Sequence, residues 1–416
     1  MWRFQTAIQR LTSFLPILQA HVPISDGHSA DLALCLRGAF TQRLTSFLPT
    51  LQAHVPISDG HSADLALCLR GAFPHLRHLK VASTYEYDDA KFHAPLSLLP
   101  DLQSLIIDCP GAMLMESGCT GLAQLTSLAS LTLCLGEVGD LAPLSELSML
   151  SSLVFKSPIL AYAHGLDAVL TSCSKLTVLA VPCTNWSGLS SNSLKLLTLQ
   201  SCLYYCLPNP SLLPSLLSVQ INLLVVDGIN EGNEGAFQSV LDKYAAAPFP
   251  SFGVDELTIV NGGETLPNPP FQLYLKLFPA FSLLRNVKIV CLCNIGLEPR
   301  DLCHLAAYFP RAEEVNLVDC VVASSSLLEA VQNFENLHTL SFSRPDATLT
   351  PLEVQASIFA ASTAAQQRKS KRHLKFQVEG EAEVVLALEL IWKAIAVGFD
   401  EPSRFSFYSF VPIYDI

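Results

Sequence analysis

Apolar positions recur along this chain in a form that one short stretch states most cleanly. In residues 194–202, reading LKLLTLQSC, Leu194, Leu197, Leu199 and Cys202 share one side, while Lys195, Leu196, Thr198 and Gln200 are spacers. Leu197 and Leu199 stand two apart, the period at which side chains return to the same face of a strand. The stretch therefore predicts one short strand and the turn after it. The same first, fourth and sixth positions are apolar in FPHLRHLKV (Leu76, Leu79, Val81), LQSLII (Leu102, Leu105, Ile107), LASLTL (Leu128, Leu131, Leu133), LSSLVF (Leu150, Leu153, Phe155) and LTVLAV (Leu176, Leu179, Val181). From Leu79 to Leu197 the fourth positions advance by 26, 26, 22, 26 and 18 residues. The last step leaves too little chain for a helix between its strands.

Beyond Cys202, either LLSVQI or INLLVV can carry the next strand, and we take INLLVV (Ile221, Leu224, Val226). A Gly-rich acidic loop over 227–235, a helical pattern over 237–246 and the strand VDELTI (Val254, Leu257, Ile259) come next. A Pro-rich stretch over 266–270 reads as a bulging loop. LRNVKI (Leu284, Val287, Ile289), AEEVNL (Ala312, Val315, Leu317) and LHTLSF (Leu337, Leu340, Phe342) continue the pattern, with helices over 300–308 and 325–334 on the outer side. The array closes with a helix over 351–367, a strand over 374–378 and a cap over 379–416. In that cap Val384, Leu388, Ile391 and Ile395 share a helical face, and the aromatic tail, 402–416, folds back onto it.

Ahead of these divergent units, residues 9–40 return at 42–73 with a single change, Ile17 to Thr50, at an offset of 33 residues. Within each copy, Val22 and Ile24 (Val55 and Ile57) read as a strand, Ser25-Asp26-Gly27 as a turn and 30–36 as a short helix. Near-identity implies a recent duplication or an error in the gene model, and both remain open. Repeats touch only their neighbours, so removing one copy should leave a foldable protein.

Composition narrows the function classes. Half the residues are hydrophobic and only 15% are charged, which implies extensive burial. The formal charge of −12, from 37 acidic against 25 basic residues, works against the counterion release that drives nucleic-acid binding. Thirteen cysteines, many within apolar strand patterns, read as reduced core residues of a cytoplasmic or nuclear protein. The acid-free start has two arginines, as a transit peptide would, but its second half recurs at 42–54 and so reads as part of a repeat. Glu389 and Lys393 interrupt the best candidate for a membrane span.

This motif set resembles the leucine-rich-repeat superfamily, and its irregular lengths look more like the ribonuclease-inhibitor and F-box-associated type than the extracellular receptor type. The lines FPHLRHLKV, FPRAEEVNL and FENLHTLSF are similar to those of fungal F-box/leucine-rich-repeat proteins. The resemblance covers residues 43–378. It implies an α/β leucine-rich-repeat solenoid (horseshoe) with a concave parallel β-sheet, outer helices and a C-terminal helical cap. An F-box would precede the repeats, and Leu15-Pro16 or Leu48-Pro49 alone do not make one; whether it was lost or never existed stays open. The asparagine usual at the ninth position is mostly absent, with Cys202 and Cys320 in its place and Cys109 and Cys183 one residue short.

Candidate chemistry is sparse. Ser25-Asp26-Gly27-His28-Ser29 and Ser58-Asp59-Gly60-His61-Ser62 bring triad residue types together, but contiguous residues cannot be oriented as a triad, and a turn with a Ser helix cap explains them. Cys291 and Cys293 alternate along a strand without the second Cys/His pair of a zinc motif, so no metal or cofactor is expected. Residues 368–372 (RKSKR) suit either a nuclear import signal or a solvated helix end. Asn185-Trp186-Ser187 fits a glycosylation acceptor that a reduced cytosolic chain would not use. Nucleotide-loop, zinc-protease and nucleophile-elbow signatures are missing.

What remains is the spacer face, which early repeats furnish with Arg77, His78 and Lys80. The middle repeats offer small residues such as Ser130, Thr132, Ser152, Ala180 and Thr198. Later ones supply Asp255 and Glu256, then Arg285 and Lys288, then Glu313 and Glu314. Alternating charge of this kind suits a polar protein partner, though a merely solvated face would also carry it. The sequence thus predicts one leucine-rich-repeat domain over 1–416 acting as a monomeric, non-catalytic protein-interaction scaffold, bound to neither nucleic acid nor membrane. The F-box resemblance implies substrate recognition in a ubiquitin-ligase context. Two alternatives stand: an enzyme with a site built from the loops at 227–235 or 262–270, and a decaying duplicated paralogue without selected function.

Overall fold

The computed structural model describes residues 18–21, 50–54, 75–82, 99–114, 116–156, 164–182, 186, 188–227, 234–246, 251–260, 284–297, 299–322, 333–343, 374–379 and 405–410. The chain forms two compact units, one comprising Met1–Gln200 with Pro208–Val219, the other Ser201–Leu207 with Gln220–Ile416.

In the first unit the strands are β1 (Leu18–His21), β2 (Thr50–His54), β3 (His78–Ala82), β4 (Ser104–Leu114), β5 (Ser130–Val138), β6 (Ser152–Lys156), β7 (Val178–Val181) and β8 (Leu196–Leu203). Each pairs in parallel with the next. The register sets Leu51, Leu79, Leu105, Leu131, Leu153, Leu179 and Leu197 side by side, so the fourth position becomes a continuous leucine row. From Leu79 onward these side chains are buried, as are the first- and sixth-position residues beside them. Burial of each such side chain contributes roughly 1.5–3 kcal/mol, which is what holds strands with no local contacts together.

A second row binds the repeats through the backbone. The amide of each second-position residue donates to the carbonyl of its counterpart one repeat earlier, from Gln103 to Arg77, Ala129 to Gln103, Ser151 to Ala129, Thr177 to Ser151, Lys195 to Thr177 and Leu217 to Lys195, at 2.8–2.9 Å. Crossovers carry helix α1 (Glu116–Ala123), a 3-10 turn (Ala142–Glu146) and helix α2 (Leu166–Ser172). Between β7 and β8 no helix occurs among the described residues, in keeping with the 18-residue step. Gly165 opens α2 at φ 73°, and a Cβ there would collide with the Asp140 carboxylate and the Ala142 backbone.

The second unit contains most of β9 (Ser218–Asp227), then β10 (Ser251–Val260), β11 (Ile289–Cys293), β12 (Gly296–Leu297), β13 (Glu314–Val318), β14 (Val321–Val322), β15 (Thr339–Ser343), β16 (Leu374–Glu379) and β17 (Phe405–Phe410). β10, β11, β13, β15, β16 and β17 pair in parallel in that order, and β12 pairs separately with β14. Helix α3 (Glu234–Ala245) buries Phe237, Leu241 and Tyr244 at helical spacing, and helix α4 (Pro299–Tyr308) buries Leu305 and Ala306. Asn294 and Asp319 occupy the eighth position of adjacent repeats, both at positive φ (58° and 52°), where Asn and Asp are the better tolerated non-glycine residues. Their amides donate to Val318 and Ser343 carbonyls of the following repeat.

Three expectations need correction, and one falls outside the described residues. In the duplicated unit strands lie over Leu18–His21 and Thr50–His54, while the strand expected at Val22/Ile24 and Val55/Ile57 lies outside the described residues. There Leu51 and Ala53 pair with Leu79 and Val81, which places them in the array. β9 begins within LLSVQI and runs on through INLLVV, and the Leu217 and Ser218 amides at its start donate to the Lys195 carbonyl, so LLSVQI supplies the next rung after Lys195. LRNVKI is displaced by three residues: Val290 and Leu292, not Val287 and Ile289, pair with Val315 and Leu317. Finally, Phe405–Phe410 adds a parallel strand beside β16 and is not a tail folded onto a cap. The helices expected over 30–36 and 351–367, nearly all of 325–334, the Pro-rich loop, the cap's helical face with Val384, Leu388, Ile391 and Ile395, and residues 368–372 lie outside the described residues.

Candidate functional site: the spacer faces

Because apolar residues occupy the fourth and sixth positions, the third, fifth and seventh turn to the opposite face of each strand. In the first unit this face begins basic. Arg77 and His78 are exposed, and the Lys80 ammonium lies 3.0 Å from the Asp108 carboxylate on the next strand. Asp108, Cys134 and Lys156 then stand in register across three strands. Burial pushes the Cys134 thiol above its ordinary value, helped by Asp108 and opposed by Lys156 and Lys80. Ser130, Thr132, Ser152, Ala180 and Thr198 are half-buried, as expected for small face residues. The Gln200 amide reaches back to donate to the Phe155 carbonyl. Leu196 and Leu217 are 44% and 49% exposed, large apolar side chains left open beside Lys195.

The second unit carries a different charge order. At the second positions, Asp255 faces Lys288 at 3.7 Å and Glu313 faces His338 at 3.7 Å, so acids and bases alternate repeat by repeat. Gln220 Nε2 donates to Asp255 at 2.9 Å, while Asn316 Nδ2 donates to Glu314 at 2.9 Å. At the third positions Glu256, Ile289 and Glu314 stand in register. Burial, and then the negative Glu314, hold the Glu256 carboxyl above its ordinary range.

The expected residues are thus divided. Asp255, Lys288 and Glu313 form one row, Glu256 and Glu314 another, and Arg77, His78 and Lys80 belong to the first unit. Arg285 is exposed in the turn before β11 and does not reach the strand face, a consequence of the three-residue displacement there. Sequence reasoning missed His338, although its place as the second residue of LHTLSF marks it. It also missed that the Cys291 and Cys293 thiols meet at 3.6 Å on the open face.

At the ninth position, Cys202 and Cys320 are buried, and the Cys320 thiol donates to the Leu292 carbonyl one repeat back at 3.2 Å. A small inward-facing donor is what that position requires, and burial pushes the Cys320 thiol up to about 12. Cys134, Cys173, Cys291, Cys293 and Cys320 are in no disulfide. Trp186, in the glycosylation-like triplet, is fully buried. Among the described residues no three or more His, Cys, Asp or Glu converge as a metal site, and no helix is long and apolar enough to cross a membrane. Of the two loops considered for an enzyme site, 262–270 and most of 227–235 lie outside the described residues.

No family model matches this chain, and no curated protein does. Among solved structures it is similar to an internalin (inlF) from Listeria monocytogenes, at 16% identity and TM-score 0.40, covering 76% of this chain and 90% of that one. It is also similar to a TLR13–ssRNA13 complex, at 11% identity and TM-score 0.29, covering 89% of this chain and 64% of that one. At these scores neither likeness bears on function. The leucine row, the second-position ladder and the parallel register establish the leucine-rich-repeat fold on their own.

Proposed function

We propose that this protein is a non-catalytic interaction scaffold whose spacer faces bind another protein. The observation that carries the reading is the alternating row Asp255, Lys288, Glu313, His338, held at the same position of successive repeats. Such a row sets partner register and steers encounter more than it adds raw affinity. Its side chains are about half exposed, so within the protein each pair contributes little stability.

An affinity pull-down with the wild-type chain and with Lys288→Glu tests this. Loss of specific partners, with restoration on adding Asp255→Lys to the same chain, is the expected result. An unchanged set of partners from both variants would discard the face as the binding surface. The charge of −12 supports a protein partner over nucleic acid, and labelled single-stranded RNA should give no saturable anisotropy change at physiological salt.

The finer reading, substrate recognition in an F-box-like ubiquitin-ligase context in cytoplasm or nucleus, is supported by FPHLRHLKV, FPRAEEVNL and FENLHTLSF and by the buried cysteines Cys173 and Cys320, which are in no disulfide. Ubiquitin-ligase subunits in the same pull-down would support that context, and partners without any such subunit would remove it.

A further inference from the structure

Cys291 and Cys293 are the fifth and seventh residues of their repeat, so both side chains emerge on the spacer face of β11. Both are half-buried, and their sulfurs are 3.6 Å apart. In register beside them stand Thr258 and Asn316 at Cys291, and Val260 and Val318 at Cys293. The valines wall the seventh position with apolar side chains, while the fifth position is polar on both sides.

Two fates compete for such a pair. Strand residues two apart have α-carbons roughly 6.4–6.8 Å apart, at the upper edge of the ~4.4–6.8 Å range that disulfides span. Their Cβ bonds also run side by side and do not converge. Closing the sulfurs to ~2.05 Å would therefore require the backbone of β11 to buckle, against ladders to β10 and β13 on either side. Chelation needs no such movement. Two metal–sulfur bonds of about 2.3 Å at a tetrahedral angle span about 3.8 Å, close to the separation already present.

We infer that Cys291 and Cys293 form a two-thiolate site for one thiophilic divalent ion of the zinc and cadmium class, with the remaining coordination positions open on the spacer face. Binding replaces two S–H bonds with two S–metal bonds and releases two protons to solvent; no electrons move. Glu256 near Cys291 and Asp319 near Cys293 add negative potential that favours a cation. The site does not depend on the scaffold reading, because the free protein suffices to test it.

The test is titration of the reduced full-length chain with cadmium ion, following the near-ultraviolet thiolate-to-cadmium absorption. Circular dichroism would check that each variant is folded. One equivalent should give the band, and zinc should compete it away. Cys291→Ser and Cys293→Ser should each weaken binding by at least about tenfold, while Cys134→Ser on the first unit's face leaves it unchanged. A band of equal strength in both variants, no band in the wild type, or a Cys291–Cys293 disulfide forming in air without any metal band would each overturn the inference.

Discussion

Lys195 and Leu197 sit two residues apart in one repeat, yet their substitutions should have opposite kinds of consequence. Leu197 is 1% exposed in the leucine row, so Leu197→Ala should cost about 2–5 kcal/mol in a denaturant titration. Lys195 contributes its backbone to the ladder while its side chain is exposed, so Lys195→Ala should stay within about ±0.5 kcal/mol. Glu256 gives a prediction in pH. Its folded value is raised, so the folded state holds the proton more tightly, and stability contributed by the protonated form is lost as pH rises through that raised value. Glu256→Gln should accordingly raise the melting temperature at neutral pH, and the gain should vanish in acid. A gain that persists unchanged at low pH would point to some cause other than charge. At this scale the sequence was largely transparent: an apolar residue at the first, fourth or sixth position is core because the pattern recurs often enough to define a face. His338 and the Cys291–Cys293 pair were harder to see, because their significance comes from neighbours on other strands or from rotamers.

At the scale of elements, local pattern misled where it was degenerate. Leu284, Val287 and Val290 are three apart, so sliding the six-residue pattern by three leaves apolar residues at its first two key positions, and only pairing with β10 and β13 chooses the register. In the duplicated unit, the strand over Thr50–His54 was not read from the sequence. Ala53, a weak strand former, holds its place through pairing with Val81. Weak strand propensity is outweighed there by the ladder with the next repeat. The same neighbour-only contacts make a whole copy expendable. Deleting residues 9–41 should leave a cooperatively folding chain with a smaller denaturant m-value, as expected when less surface is buried. Loss of cooperative unfolding would show that the copies are not interchangeable. Gly165→Ala tests a single joint: positive φ together with the collision at Asp140 and Ala142 should cost at least about 1 kcal/mol, read by thermal or chemical denaturation.

For the whole molecule, the charge of −12 sets the electrostatic background against which the two spacer faces differ, the first opening with Arg77, His78 and Lys80, the second alternating in sign. Partner capture through the second face should weaken as ionic strength rises, mainly through slower association, and binding kinetics at two salt concentrations would show it. Capture that is insensitive to salt would mean apolar contacts, such as those offered by exposed Leu196 and Leu217, carry the interaction instead. The amino-acid sequence by itself determined the fold, a repeating array of short parallel strands, because the period-two apolar pattern and its spacing are local properties of the chain. Tertiary structure alone decided which three-residue register each ambiguous strand adopts, that β9 serves LLSVQI as well as INLLVV, and that residues 405–410 extend the sheet. It also decided which charges meet. The reason is physical: a parallel strand has no partner within its own segment, so its register and its neighbours exist only once the next repeat is in place.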